Sequence, residues 1–465
     1  MHARAPCTEQ LAAFIASLTP SAIPAPVIGY GRTLAFDGIG VIVAATHPLV
    51  TSAAGVARYA RRHGGTGPAT LIGQDAQCDV VNAVLANGTL GYAVDFEPHH
   101  PEAILHPIAV MLPTVLALAE AHRLSGERAI AAMLLGCEVT YRVSMAMGPR
   151  ELYSLGFHPS AVAGTFGAAA AAANLLGLST GHTVRALGLA GLQASGLMAW
   201  EDDPREDARP FQMGMAARNG VTAALLAQDG FGAPDRIFDG GHSALHAFSR
   251  VAEAGPLTDG LGERWDGVSE LAVKPYSCVS FLHPALDALA ALLDEHALRA
   301  SDIAAIDLRF ADAGAHCVDN NPLKSHCAQY ILPLRAARGR LSPLDLFVDR
   351  RTSEPEVARL AAATTVTRDR GEFDARFPDV YAGEVSLTLC DGRVLKATRD
   401  IARGYPEHPL CESEVDAKFQ NVVGLVASDD RRVALADAAR GLADAPSVAP
   451  LMALLRHPPD APAKA

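Results

Sequence analysis

The sequence is poor in the features that would classify it quickly. Its eight cysteines are scattered with no CxxC pair, so neither a disulfide frame nor a zinc or iron–sulfur motif is written in it. Reduced thiols in a cytoplasmic protein are the simpler expectation. No run of Lys and Arg occurs and the net charge is −12, which excludes the basic footprint of a nucleic-acid binder. No GxGxxG follows a strand-like segment, so the dinucleotide fingerprint is missing and a redox enzyme is not expected. The first residues, MHARAPCTEQLAAFIASL, lack an apolar core followed by a small-residue cleavage site, so no secretory targeting is expected. The most apolar stretch is weakly hydrophobic and marginal for a membrane span, so no membrane partner is expected. Internal repeats and low-complexity linkers are missing too.

What is present is apolar and finely interleaved. Hydrophobic residues make up 49% of the chain against 19% charged, the balance of a well-packed globular protein. At 465 residues one compact core is not enough, and two domains are expected. The stretch GFHPSAVAGTFGAAAAAANLLGL, residues 156–178, carries no charge beyond its His and reads as a helix buried on every side. Pro159 suits a first helical turn and Ser160 can cap it. His158 therefore stands at the mouth of a buried helix, where the N-terminal dipole favours anions and a neutral imidazole. It either caps and packs or does chemistry.

The loop DFEPHHPEAILH, 95–106, is the second informative place. Two prolines and three histidines interrupt buried helices at 79–94 and 108–122, and ionisable loops between rigid apolar elements are common sites of catalysis. His106-Pro107 repeats the His-Pro geometry of His158, and Pro113 is expected to kink the helix that follows. The spacing of His99, His100 and His106 fits no known metal-ligand pattern. Further helices are expected at 8–18 with Thr8 as cap, at 27–46, at 51–63 capped by Thr51 or Ser52, at 126–144, at 184–200 and at 209–227. Glu138 and Arg142 form an i,i+4 pair, more often structural than catalytic. The acidic loop 201–207 reads as solvated surface or a mobile rim. Arg209 opens its helix and suits either bidentate carboxylate binding or a plain salt bridge.

The pattern changes after Trp265. Lys274, Tyr276 and His283 follow closely, and His283-Pro284 makes a third His-Pro helix start. Residues 303–310 alternate like a strand, and 382–399 read as two strands joined by Asp391-Gly392, a strong hairpin signal. Residues from about 270 to 400 thus form a smaller α/β domain, and 412–456 return to amphipathic helices.

The motifs NAVLANGTLGYAVDFE, LHPIAVMLP, GFHPSAVAGTFGAAAAAANLLGL, QASGL, FQMGMAARNG and KPYSCVSFLHPALDA resemble, in order, those of the MmgE/PrpD family. That family includes 2-methylcitrate dehydratase, cis-aconitate decarboxylase and iminodisuccinate epimerase. The resemblance implies a mainly α fold: a large all-helical domain from both chain ends, 1–268 and 406–465, with a smaller α/β lid domain, 269–405, inserted. It implies a homodimer and a metal-free, cofactor-free active site at the domain junction. By resemblance Asp95, His106, His158 and Lys274 are the catalytic candidates, and Arg209, Tyr276 and His283 the substrate-binding ones. Arg209 falls where decarboxylase members carry a lysine. Leu334 falls where many members carry a tyrosine, and the loop after Asp95 lacks the further Asp or Thr of many members. These departures weigh most against decarboxylation.

The reactions of such a family begin at carbon next to a carboxylate or carbonyl. Lys274 and Arg209 can bind carboxylates and stabilise developing negative charge. His106 and His158 can serve as base and acid, and the spacing assigns neither role to either. Asp95 can orient a histidine or move a proton. Arg209 cannot readily donate a proton, so there it is an anion clamp. The expected activity is that of a lyase on a small di- or tricarboxylate, a dehydratase of the 2-methylcitrate type first. An epimerase or decarboxylase of the same family stands second, and an inactive helical binding or scaffold protein is the alternative of another class.

Overall fold

Residues 159–175 set the packing of everything near them. The structure, a computed structural model, describes residues 5–203 and 205–460, so the first four residues, Pro204 of the acidic loop and the last five residues lie outside the described residues. The uncharged stretch forms the helix Pro159–Leu175, buried continuously from Pro159 to Ala173. It packs against the helices Gly126–Met147, Ala208–Gln228 and Pro107–Ala121. The small residues are required by that closeness. A Cβ on Gly167 would lie 1.9 Å from the Thr140 hydroxyl, and one on Gly220 would lie 2.5 Å from the Ala168 Cβ.

The described chain divides into two units. One comprises residues up to 93, 97–272 and 413 onward; the other comprises 94–96 and 273–412. The first is helical apart from a two-residue hairpin pairing Ala69–Thr70 with Gln77–Cys78. Its helices at Cys7–Ser17, Ala25–Ala44, Thr51–His63 and Val80–Leu90 lie close to the expected ranges. Several caps differ. Thr8 lies inside its helix, and its hydroxyl donates to Asp239 at 2.5 Å. Thr51 has its hydroxyl on Asp207 at 3.1 Å. The helix expected over 184–200 spans Thr180–Gly191 and stops; Gly196 takes φ +151°, and Met198–Asp202 is a separate 3-10 turn. Glu138 and Arg142 are buried and paired at 2.7 Å, with Arg142 also donating to the carbonyls of Pro256, Asp259, Gly260 and Arg264. That arrangement pins a loop to the helix, the structural outcome expected of the pair. Lys418 of the C-terminal segment reaches the buried Asp37 at 2.8 Å.

Two helices, Ala25–Ala44 and Gly126–Met147, are long and apolar enough to cross a membrane by composition. Of their most apolar windows, 67% and 89% are buried against protein, so most of that apolar surface is already covered.

The second unit is built on a four-stranded sheet in the order Thr364–Asp369, Ile303–Ala311, Gly383–Leu389, Val394–Arg399. The first pair is parallel and the others antiparallel. Ile306, Leu308 and Phe310 alternate into one core with Val385 and Leu387, as the period of two requires. The helix His283–Glu295 packs on the last two strands, and Gly383 lets it come close, since a Cβ there would lie 3.0 Å from the Ala285 nitrogen. Strand Thr364–Asp369 is polar and largely exposed, which is why the sequence carries no alternation for it. Leu334 is fully buried in this core. Among the described residues the cysteines form no disulfide.

Candidate active site

The helix Val80–Leu90 ends in a run of turns that carries the chain through Tyr92 into the loop. The loop is rigid by its own hydrogen bonds. His99 exchanges two backbone bonds with Ala272, at 3.0 and 2.7 Å, and His100 exchanges two with Leu105, at 2.7 and 3.1 Å. Closing that tight bridge forces Ile104 to φ +54°, a region a β-branched residue rarely occupies. Strain of this kind persists where the surroundings over-determine it, and it lies two residues before His106.

His106 ends the loop and precedes the helix Pro107–Ala121. Its backbone N–H donates to the Ser160 hydroxyl at 3.0 Å. Ser160 therefore does not cap its own helix, as expected from sequence; it fastens the His106 loop to the helix that follows His158. The His106 ring is held as well. Its Nδ1 lies 2.6 Å from Glu97 Oε1, and the Glu97 side chain is 1% exposed against 16% for His106. A buried carboxylate at that distance accepts a hydrogen bond from Nδ1–H and leaves Nε2 as the working nitrogen. Two effects act on the ring. The helix N-terminus opposes a positive ring by roughly 0.3–1 kcal/mol. A hydrogen bond to a charged partner is worth about 1.5–3 kcal/mol, so Glu97 dominates.

His158 precedes the second buried helix, is itself buried, and donates its backbone N–H to Gly196 at 2.9 Å. Its ring centroid is 6.5 Å from that of His106. Tyr92 fills the space beside both rings, 4.7 Å from His106 and 5.8 Å from His158. Arg209, buried at the start of Ala208–Gln228, places its guanidinium carbon 4.8 Å from the Tyr92 ring and 5.8 Å from Trp200. Trp200 in turn lies 5.9 Å from His158. Two imidazoles, one carboxylate-backed, thus share an aromatic wall with one guanidinium.

His99 stacks at 5.9 Å on His106, but His100 turns away onto Tyr141 at 4.8 Å. Its Nδ1 accepts from the Ala103 N–H and its Nε2 donates to the Asp266 carbonyl, both at 3.2 Å. Burial lowers its pKa to about 4, with the Asp266 bond opposing. Among the described residues no three His, Cys, Asp or Glu side chains come together as a metal site.

The remaining candidates lie in the second unit. Lys274 and Asp95 form a buried ion pair, and Asp95 takes φ +50°. The segment 94–96 is further tied by the Ser277 hydroxyl donating to the Val94 carbonyl at 2.6 Å. Burial raises the neighbouring Cys278 thiol well above its usual range, and Asp95 adds to the rise. Tyr276 donates to Asp287 at 2.7 Å, and burial first, then Asp287, raises its phenol. His283 is buried with Nε2 3.2 Å from the Cys278 carbonyl and its ring 5.5 Å from Tyr276.

Sequence reasoning missed Glu97, Tyr92 and Trp200. Glu97 carried one usable signal, an acid in the same short loop as His106. The two aromatics carried none, because their places depend on how distant segments pack.

Comparison with known proteins agrees along the length. The MmgE/PrpD N-terminal domain matches residues 9–256 and the MmgE/PrpD C-terminal domain matches 276–442. The cis-aconitate decarboxylase-like protein oryM of Aspergillus oryzae is 29% identical, over 96% of this chain and 97% of that protein. The cis-aconitate decarboxylase of Aspergillus terreus is 26% identical over 99% and 98%. That of Homo sapiens is 27% identical over 97% and 95%.

Proposed function

The chain belongs to the MmgE/PrpD family, and on that premise we propose that it is a lyase acting on a small polycarboxylate, with decarboxylation of a cis-aconitate-type acid first. The observation that carries the reading is the His106–Glu97 pair at 2.6 Å, with the His158 ring 6.5 Å from that of His106 and Tyr92 beside both. Decarboxylation of cis-aconitate consumes one proton. The electron pair of the CH2–carboxylate bond forms a new CH2=C bond as CO2 leaves. The old double bond takes a proton at its CH carbon, giving itaconate. His106 supplies that proton from Nε2, while Glu97 balances the charge on the ring. Arg209, its plane set by Tyr92 and Trp200, binds a substrate carboxylate and does not deliver the proton. The relatives' activity supports this order over the dehydration expected from the resemblance alone.

Dehydration of a 2-methylcitrate-type acid is the second reading, and one observation favours it. Removing a C–H proton and protonating a departing hydroxyl needs two groups, and His106 and His158 stand 6.5 Å apart. In the second unit, the buried Lys274–Asp95 pair is an acid–base candidate in its own right. A homodimer is also part of the proposal, to be checked by sedimentation velocity.

The test is a substrate panel followed by NMR in deuterated water: cis-aconitate, 2-methylcitrate, citrate and iminodisuccinate. Itaconate and bicarbonate from cis-aconitate support the first reading, and water loss from a citrate supports the second. Deuterium exchange at one carbon without elimination means an epimerase, and no reaction with any of the four contradicts the lyase reading.

A further inference from the structure

Arg209 already has an anion. Its guanidinium is buried, and a buried charge has to be compensated. Glu206, three residues earlier, places Oε2 3.4 Å from Arg209 Nη2. That is long for a charge-assisted bond, which typically lies at about 2.7–2.9 Å. Glu206 also reaches this place from a left-handed backbone, φ +56°, which L-residues with a side chain seldom adopt. The contact is therefore longer than a typical charge-assisted bond, and the backbone that places it is strained.

Its acidic neighbours do the local structural work. Asp203 accepts the N–H groups of Arg205 at 3.0 Å and Ala208 at 2.8 Å, which caps the start of the Ala208–Gln228 helix. Asp207 pairs with Arg205 at 2.5 Å and accepts from Thr51. Glu206 is the acid of this segment that is paired with the buried guanidinium.

We propose that Glu206 is a built-in competitor for the Arg209 clamp: its carboxylate occupies the position a substrate carboxylate takes, and it sets the affinity and charge selectivity of the site. A bidentate carboxylate on Arg209 must displace Glu206 or share the fork with it. Ligands with several carboxylates pass that threshold more readily than ligands with one. This inference rests on the polycarboxylate reading above.

The test measures binding and turnover separately. The dissociation constant for tricarballylate, a saturated tricarboxylate with no double bond to react, is measured by calorimetry on wild type, E206Q, E206A, R209Q and the E206Q/R209Q double variant. Thermal melts confirm that each variant is folded, and cis-aconitate turnover is followed alongside. Removing a like charge beside the bound anion is expected to tighten tricarballylate binding about tenfold in E206Q and E206A. R209Q weakens it, and in the R209Q background E206Q gives no gain, which a purely structural role for Glu206 would not produce. Unchanged or weaker binding in both Glu206 variants, or a gain that persists without Arg209, overturns the inference. If cis-aconitate is turned over while Glu206 has no effect on affinity, only this inference falls. No binding and no turnover in any of the proteins overturns the polycarboxylate reading and the inference with it.

Discussion

Three His-Pro pairs open helices in this chain, and they differ in what surrounds them. His106 and His158 are caps with non-helical backbones, φ −126° and φ −89°, so each ring stands off the end of its helix. His283 is itself helical, φ −62° and ψ −45°, because the 3-10 turn Ser280–Leu282 leads directly into its helix. Its ring lies against the Cys278 carbonyl and the edge of Tyr276. The dipeptide thus specifies a helix start in all three places, and the preceding turn decides whether the His backbone stays outside the helix or joins it. At His106 the buried carboxylate of Glu97 lies on Nδ1 at 2.6 Å.

Substitutions at the three junctions and at Glu97 test that contrast. The largest effect is expected at His158: H158N lowers kcat by about 10³-fold with the fold intact, read by steady-state kinetics and circular dichroism. Next, E97Q leaves His106 in place without its charged partner and lowers kcat about 100-fold; a loss below threefold would reduce Glu97 to a packing residue. His100 provides a control imidazole with a structural role. Its folded pKa of about 4 lies below the ordinary 6.5, so the unfolded chain takes up the proton first as pH falls. Its contribution is complete above about pH 6.5 and is lost towards pH 4, by up to about 3 kcal/mol. Denaturant titrations across that range should show the loss in wild type and a flatter profile in H100N. The smallest effect is expected at His283: H283Q keeps kcat within about twofold while costing about 1 kcal/mol of stability. A tenfold fall in kcat there would erase the distinction between the junctions.

Much of this architecture was legible because it rests on local rules. The uncharged run 159–175 can only be a buried helix, and Asp391-Gly392 joins its two strands where a hairpin signal must. The positions of His106 and His158 before prolines were readable for the same reason. What escaped was tertiary. Ser160 satisfies the usual preference for a cap and serves instead as an acceptor for His106, 54 residues away in sequence. The helix expected to reach Trp200 stops at Gly191, which lets Trp200 return beside His158 and Arg209. The strand Thr364–Asp369 owes its place to a parallel ladder with Ile303–Ala311, a pairing no alternation announces.

In the proposed decarboxylation His106, held by Glu97, moves the proton. Its most direct test is cis-aconitate turnover in deuterated water by wild type and H106N, followed by NMR. Wild type is expected to give itaconate carrying one solvent-derived deuterium at its saturated methylene, and folded H106N to lose rate by about 10³-fold. Itaconate formed by H106N at the wild-type rate, with the same single deuterium, would contradict that role of His106.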